Sequence, residues 1–190
     1  MDVRGRGPAG RVARAAAATV AAGACTLPVA GCGVFGGISI TTPATMTVNS
    51  GAFTGDTMPQ RYTCANGKAD NPPLDWAGAP AGTKSIALVI DDSDAPITPY
   101  VYWIVFDISP ATSDILDGQL PPGARQAENS VGQAGYDPPC PGPQGHDYRF
   151  TVYALNTRLN LPPGTSLQKA WSEIAAAAIG RGRKTVYATS

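Results

Sequence analysis

The stretch DDSDAPITPYVYWIVFDI, residues 91–108, decides the fold. The apolar run KSIALVID (84–91) leads into it and YVYWIVFDI (100–108) closes it. Both runs are rich in β-branched and aromatic residues, and Pro96 and Pro99 lie between them, so they read as neighbouring strands. Three carboxylates, Asp91, Asp92 and Asp94, crowd the point where the first run leaves the core. An ionised group there needs partners or solvent, so the residues that meet it matter for function.

The remaining chain supports a β-rich domain. Further strand-like runs occupy residues 45–50, 57–64, 73–78 and 147–155, with a weak one at 126–132 and a last one at 184–189. Turn chemistry separates most of them: Asn66-Gly67, Pro72-Pro73, Pro121-Pro122-Gly123 and Pro141-Gly142-Pro143. The 22 Gly and 18 Pro residues fit many turns. One helix is expected in TSLQKAWSEIAAAAIG, with Thr165 and Gln168 as a capping box and Gly180 as its stop. Leu167, Ala170, Trp171, Ile174 and Ala178 would form its apolar face. Its short apolar part, broken by Ser172 and Glu173, packs on the sheet rather than crossing a membrane. Trp76, Trp103 and Trp171 are expected in the core.

Strand periodicity places polar groups at the ends of apolar rows. Ile86, Leu88, Ile90 and Asp92 would share one face, as would Tyr102, Ile104, Phe106 and Ile108, and His146, Tyr148, Phe150 and Val152. Stacked rows would bring Asp92, Tyr102, His146 and Tyr148 together at the rim of the core. Apolar walls with a few convergent polar groups describe a ligand pocket. A hydrogen-bonded structural pair between Asp92 and His146 is the simpler alternative.

The 14 basic and 14 acidic residues balance, which gives no electrostatic footprint for nucleic acid. The N-terminus is a different matter. Arg4, Arg6, Arg11 and Arg14 precede an uncharged Ala/Val-rich run at 15–30, the layout of a secretory signal. The run ends in Val29-Ala30-Gly31-Cys32, which resembles the bacterial lipobox. Residues 1–31 are therefore expected to be a lipoprotein signal peptide, with Cys32 lipidated and 32–44 a tether. Residues 45–190 would be the folded domain, on the extracytoplasmic face of the cell membrane. Cys64 and Cys140 remain as an even pair in a disulfide-permissive compartment. Two buried free thiols are the alternative. One His, two remaining Cys and no C-x-x-C spacing argue against a metal site, and no cofactor is expected.

Asp92-Ser93-Asp94-Ala95-Pro96 resembles the Asp-Pro-Asp-Ala-Pro motif of the phosphatidylethanolamine-binding protein family, whose bacterial branch includes the Raf-kinase-inhibitor-like proteins. RYTCANGKADNPPLDW, YWIVFDI and GYDPPCPGPQGHDYRFTVYAL resemble further ordered motifs of that family. The resemblance covers about residues 45–190. It implies an antiparallel β-sandwich-like fold with a C-terminal helix, and a small anion pocket for phosphate-type or phospholipid head groups. Carried over by position, the pocket would be formed by Asp92, Asp94, Ala95, Pro96, Tyr102, Pro139, Pro141, His146 and Tyr148. Tyr102 stands where the family usually has His, Ser93 and Pro138 replace a Pro and a Gly, and Gly142 replaces a Pro.

Two other functions compete. Ser93, His146 and a neighbouring Asp supply the residue types of a hydrolytic triad, yet no Gly-x-Ser-x-Gly elbow presents the serine. A protein-interaction module, regulating an envelope protease or another partner, would use the loops ITPY and PPGARQAENS.

Overall fold

The computed structural model describes residues 42–67, 69–95 and 98–190. The expected signal, Cys32, nearly all of the tether, and Pro96 lie outside them. The strands are β1 (Ala44–Thr45), β2 (Thr47–Asn49), β3 (Leu74–Ala77), β4 (Ser85–Asp92), β5 (Tyr100–Ile108), β6 (Asp114–Ile115), β7 (Arg125–Gln126), β8 (His146–Leu155) and β9 (Ala178–Ala188). The helix α1 spans Leu167–Ala177. A six-stranded sheet runs β1-β9-β8-β4-β5-β7, and a small sheet runs β2-β3-β6. Every pairing is antiparallel except β1 with β9.

The large sheet is covered on both faces. Toward the small sheet, Ile86, Leu88, Ile90, Phe150 and Val152 pack with Val48 and Trp76. Toward α1, Ala87, Val89, Ile104 and Phe106 pack with Ala170, Ile174 and Ala177. β4 therefore reads as an unbroken apolar run, because a strand buried on both sides has no water-facing positions. Each fully buried Ile or Leu contributes roughly 1.5–3 kcal/mol. At Gly182 a Cβ would come within 2.7 Å of the Met46 carbonyl oxygen.

Several local expectations change. The β5 row is broken: Tyr102, Trp103, Val105 and Ile108 face the small sheet, whereas Ile104 and Phe106 face α1. The register against β4 shifts between Ile90 and Asp91 and again between Ile86 and Leu88. Each bulge adds a residue to β5, and an added residue reverses the alternation beyond it. Asp107, in the second irregularity, adopts φ 57°. Its buried carboxylate accepts the Leu159 and Asn160 amides.

Residues 57–64 do not form a strand. Pro59 is followed by a 3₁₀ turn, Gln60–Tyr62, and a second turn covers Cys64–Asn66. The fixed proline φ suits that first turn, and Tyr62 still reaches the core at 1% exposure. The 126–132 segment is a strand only at its start, in Arg125–Gln126, and then forms a single bridge from Glu128 to Ala134. β6 was not anticipated, since two residues carry no periodicity.

The helix lacks its capping box. Ser166 is the N-cap without a side-chain bond, and the Thr165 hydroxyl donates to the Pro162 carbonyl. Gly180 is not the stop either: Ala178 is already extended and opens β9. Ala170, Ile174 and Ala177 are the buried helix face, while Trp171 is 36% exposed. Trp76 and Trp103 are core residues.

Candidate anion site at the ends of β4, β5 and β8

β4 and β8 pair with Asp92 opposite Tyr148 and Asp91 opposite Arg149. This register carries Asp92 and His146 to the same end of the sheet. His146 Nδ1 lies 2.7 Å from Asp92 Oδ2. The Asp94 amide donates to the other Asp92 oxygen at 2.7 Å. The Asp92 side chain is only 4% exposed, whereas that of His146 is 35% exposed. A buried carboxylate thus spends its acceptors on one ring nitrogen and one amide, and the imidazole presents its other edge outward.

Two phenols border the pair. The Tyr148 ring stacks beside His146 at 6.3 Å between centroids. Tyr102 meets Tyr148 edge-on at 5.5 Å. The first β5 bulge turns Tyr102 to this side. Burial, then the neighbouring Tyr148 and Asp92, push the Tyr102 phenol far above its ordinary pKa. Burial, followed by Asp92, does the same to Tyr148. Burial and the Asp137 carboxylate raise Tyr100, beside them, to about 12. All three are neutral at physiological pH and can donate a proton in a hydrogen bond without adding charge.

The other expected positions among the described residues lie in the loops after β4 and before β8. Asp94 is exposed and its Oδ2 accepts the Asp147 amide at 2.8 Å. Ala95 is half-buried. Pro139 and Pro141 are buried in the loop that precedes β8. That loop is tied down twice: Cys64 and Cys140 form a disulfide with Cα atoms 5.1 Å apart, and the Cys64 amide donates to the Pro139 carbonyl. Gly145, just before His146, has φ 67°, and a Cβ there would overlap the Tyr187 phenol. Tyr187 in turn donates to the Gln144 carbonyl. Glycine suits this turn through its positive φ.

Ser93 is placed otherwise than a triad requires. Its hydroxyl donates to the Asp147 carbonyl at 2.9 Å, and the nearest partner of the imidazole is Asp92. No bond joins Ser93 to His146 among the described residues.

Sequence reasoning missed the contributions of Tyr100 and Asp137. The Tyr100 hydroxyl donates to Asp137 Oδ2 at 2.8 Å, and the Asp137 amide donates to the Tyr102 carbonyl. This clamps the loop before β8 onto the start of β5. Asp137 lies within the quoted loop motif, but nothing local marks its partner 37 residues away.

The fold and site define a two-sheet β protein with a polar, histidine-bearing rim at one end of its central strands. Comparison with known proteins gives the class a name. The family described as phosphatidylethanolamine-binding protein matches residues 49–188, and the chain belongs to that family. It is 42% identical over 153 residues to "Putative lipoprotein LppC" of Mycobacterium tuberculosis, covering 77% of this chain and 75% of that protein. A UPF0098 protein of Methanothermobacter thermautotrophicus is 38% identical over 131 residues, covering 66% and 86% of the two chains. Among solved structures, Escherichia coli YbcL, titled a new member of the mammalian PEBP family, superposes with a TM-score of 0.68 at 27% identity. That match covers 76% of this chain and 98% of YbcL.

Proposed function

We propose that this is an extracytoplasmic, lipid-anchored binding protein whose Asp92–His146 rim takes a phosphate-type group or a phospholipid head group. The observation that carries this reading is the 2.7 Å contact between a buried carboxylate and a half-exposed imidazole, flanked by neutral phenols. Protonated His146 is the attracting charge. Asp92 would repel an anion if bare, but the imidazole and the Asp94 amide occupy its oxygens. Tyr102 and Tyr148 supply hydrogen-bond donors. Ala95, Pro139 and Pro141 would shape the walls.

The membrane half of the proposal rests on the N-terminal signal, on Cys32 and on the lipoprotein name of a relative. Two acyl chains on the mature N-terminus would hold firmly at roughly 0.8 kcal/mol per buried CH₂. Residues 32–44 would tether the domain, which begins at about residue 45.

The test is a titration with glycerophosphoethanolamine followed by NMR. The reading expects saturable shifts at His146 and Tyr148 that His146→Ala removes. Shifts of equal size and affinity in His146→Ala would refute it.

A further inference from the structure

A second cavity lies away from the Asp92–His146 rim, at the edge of the large sheet beside β5 and β7. Its volume is about 390 Å³, in the lower part of the range for small-molecule sites. Trp103 and Gln126 form its floor. The loops around Asp70 and Gln119 form one wall, and Gln133 and Asp137 belong to the other. Among the described residues no Lys, Arg or His lines it.

The walls are pinned from behind. The Asn71 side chain donates to the Leu116 carbonyl at 3.1 Å, and the Gly118 amide donates to the Asn71 carbonyl. Asn129 accepts the Val131 and Gln133 amides and donates to the Gly135 carbonyl. Such bonds keep the cavity open before any ligand arrives, which lowers the ordering cost of binding.

The floor carries a fixed donor. The Trp103 indole N–H contacts the Gln126 side-chain amide at 2.6 Å. Indole nitrogen only donates, so Gln126 must offer its oxygen and turn its NH₂ away. Among the described residues no buried side-chain nitrogen or oxygen lacks a partner, and no protein acceptor takes the Gln126 NH₂. The amide therefore opens toward the cavity it lines. Asp137 has one oxygen engaged by Tyr100, and the other has no partner among the described residues. Asp70 stands exposed beside Gly118.

Acceptor-only carboxylates thus share one space with side-chain amides, whose NH₂ groups donate and whose oxygens accept. A phosphate ester accepts only, so two carboxylates repel it. A primary ammonium donates only, so it leaves the amide protons unmatched. A hydroxyl both donates and accepts, and a ligand carrying several satisfies both kinds of wall at once. We propose that this cavity is a binding site for a neutral saccharide of one or two rings. The site is distinct from the Asp92–His146 pair, although Asp137, which clamps Tyr100, lines it as well.

Gln126→Glu is the discriminating variant. It keeps an oxygen for the Trp103 indole but replaces the NH₂ donor with a third carboxylate. The experiment titrates the whole chain with glucose, mannose, galactose and maltose and follows the Trp103 indole N–H signal. At least one sugar should shift it saturably at millimolar concentration. Gln126→Glu should weaken that sugar at least about five-fold, the equivalent of one lost hydrogen bond. Gln133→Ala, on the exposed wall and with no role in folding, should weaken it about two-fold. The glycerophosphoethanolamine response at His146 should be unchanged in both. The proposal is overturned if none of the sugars moves the indole signal. It is also overturned if neither variant changes the sugar affinity, or if ethanolamine binds instead and Gln126→Glu tightens it.

Discussion

Asp91 and Asp92 are consecutive residues of β4, equally buried, at 2% and 3% exposure, yet they face opposite sides of the sheet. Asp91 meets Arg149 through two hydrogen bonds, one of them at 3.1 Å from Nε. Asp92 meets His146 through one ring nitrogen. The first partner is charged at every accessible pH, and two of its guanidinium nitrogens grip the carboxylate in a fork. The second partner is an imidazole held through one nitrogen, with its side chain 35% exposed. The same residue type, one peptide apart, is therefore a fixed staple on one face and part of an open rim on the other. The difference lies in the partner and its exposure rather than in the carboxylate.

Breaking the staple should have the larger effect. Asp91→Ala leaves Arg149, 23% exposed in its side chain, without its counter-charge. Urea denaturation should show a loss of about 3 kcal/mol, the lower end for a broken buried pair, since Arg149 can turn toward water. Glycerophosphoethanolamine affinity should hardly change. Asp92→Asn is expected to cost less, about 1–2 kcal/mol, because the amide keeps an acceptor for the Asp94 N–H. Its affinity loss should nevertheless exceed that of Asp91→Ala. If both variants lost affinity equally, the division of labour between the two faces would be wrong.

The phenols sharpen the same contrast at alkaline pH. Tyr100 at about 12, and Tyr102 and Tyr148 raised further, all exceed the unfolded value of about 10. Above pH 10 the unfolded chain releases these protons while the folded chain retains them. Their stabilising contribution is thus complete below pH 10 and is lost as pH rises toward the folded values. Denaturation at pH 8, 10 and 11 should show falling stability above pH 10. Tyr102→Phe and Tyr148→Phe should each flatten that fall.

The smallest effect is expected from Tyr102→His, which returns the imidazole usual in the family. Phosphodiester affinity at pH 5.5 should rise a few-fold, by less than about 1.4 kcal/mol. An unchanged affinity would mean that position 102 does not face the ligand.

Much of this arrangement was legible in the chain. The apolar runs of β4, β5 and β8 and the polar ends of β4 and β8 follow from period-two patterning, and Asp92 and His146 do meet. Patterning failed where the backbone breaks its own period. The β5 bulges reversed the alternation after Tyr102, so that Ile104 and Phe106 face the helix. A bulge leaves no mark in side-chain type, because both faces of β5 are buried and accept the same residues. Residues 57–64 alternate like a strand, yet Pro59 initiates a 3₁₀ turn. The Thr165–Gln168 spacing suggested a capping box, but the Pro162 carbonyl captured the threonine hydroxyl. The Tyr100–Asp137 clamp and the edge cavity depend on long-range packing that no local window contains.

The central claim is that His146, in its charged form, is what attracts the ligand. Calorimetric titration with glycerophosphoethanolamine at pH 5.5 and pH 8 tests it directly, because a phosphodiester keeps one charge across that interval. Binding should be tighter at pH 5.5, and His146→Asn should abolish the difference. Equal affinities at the two pH values in the unmodified chain would contradict the account.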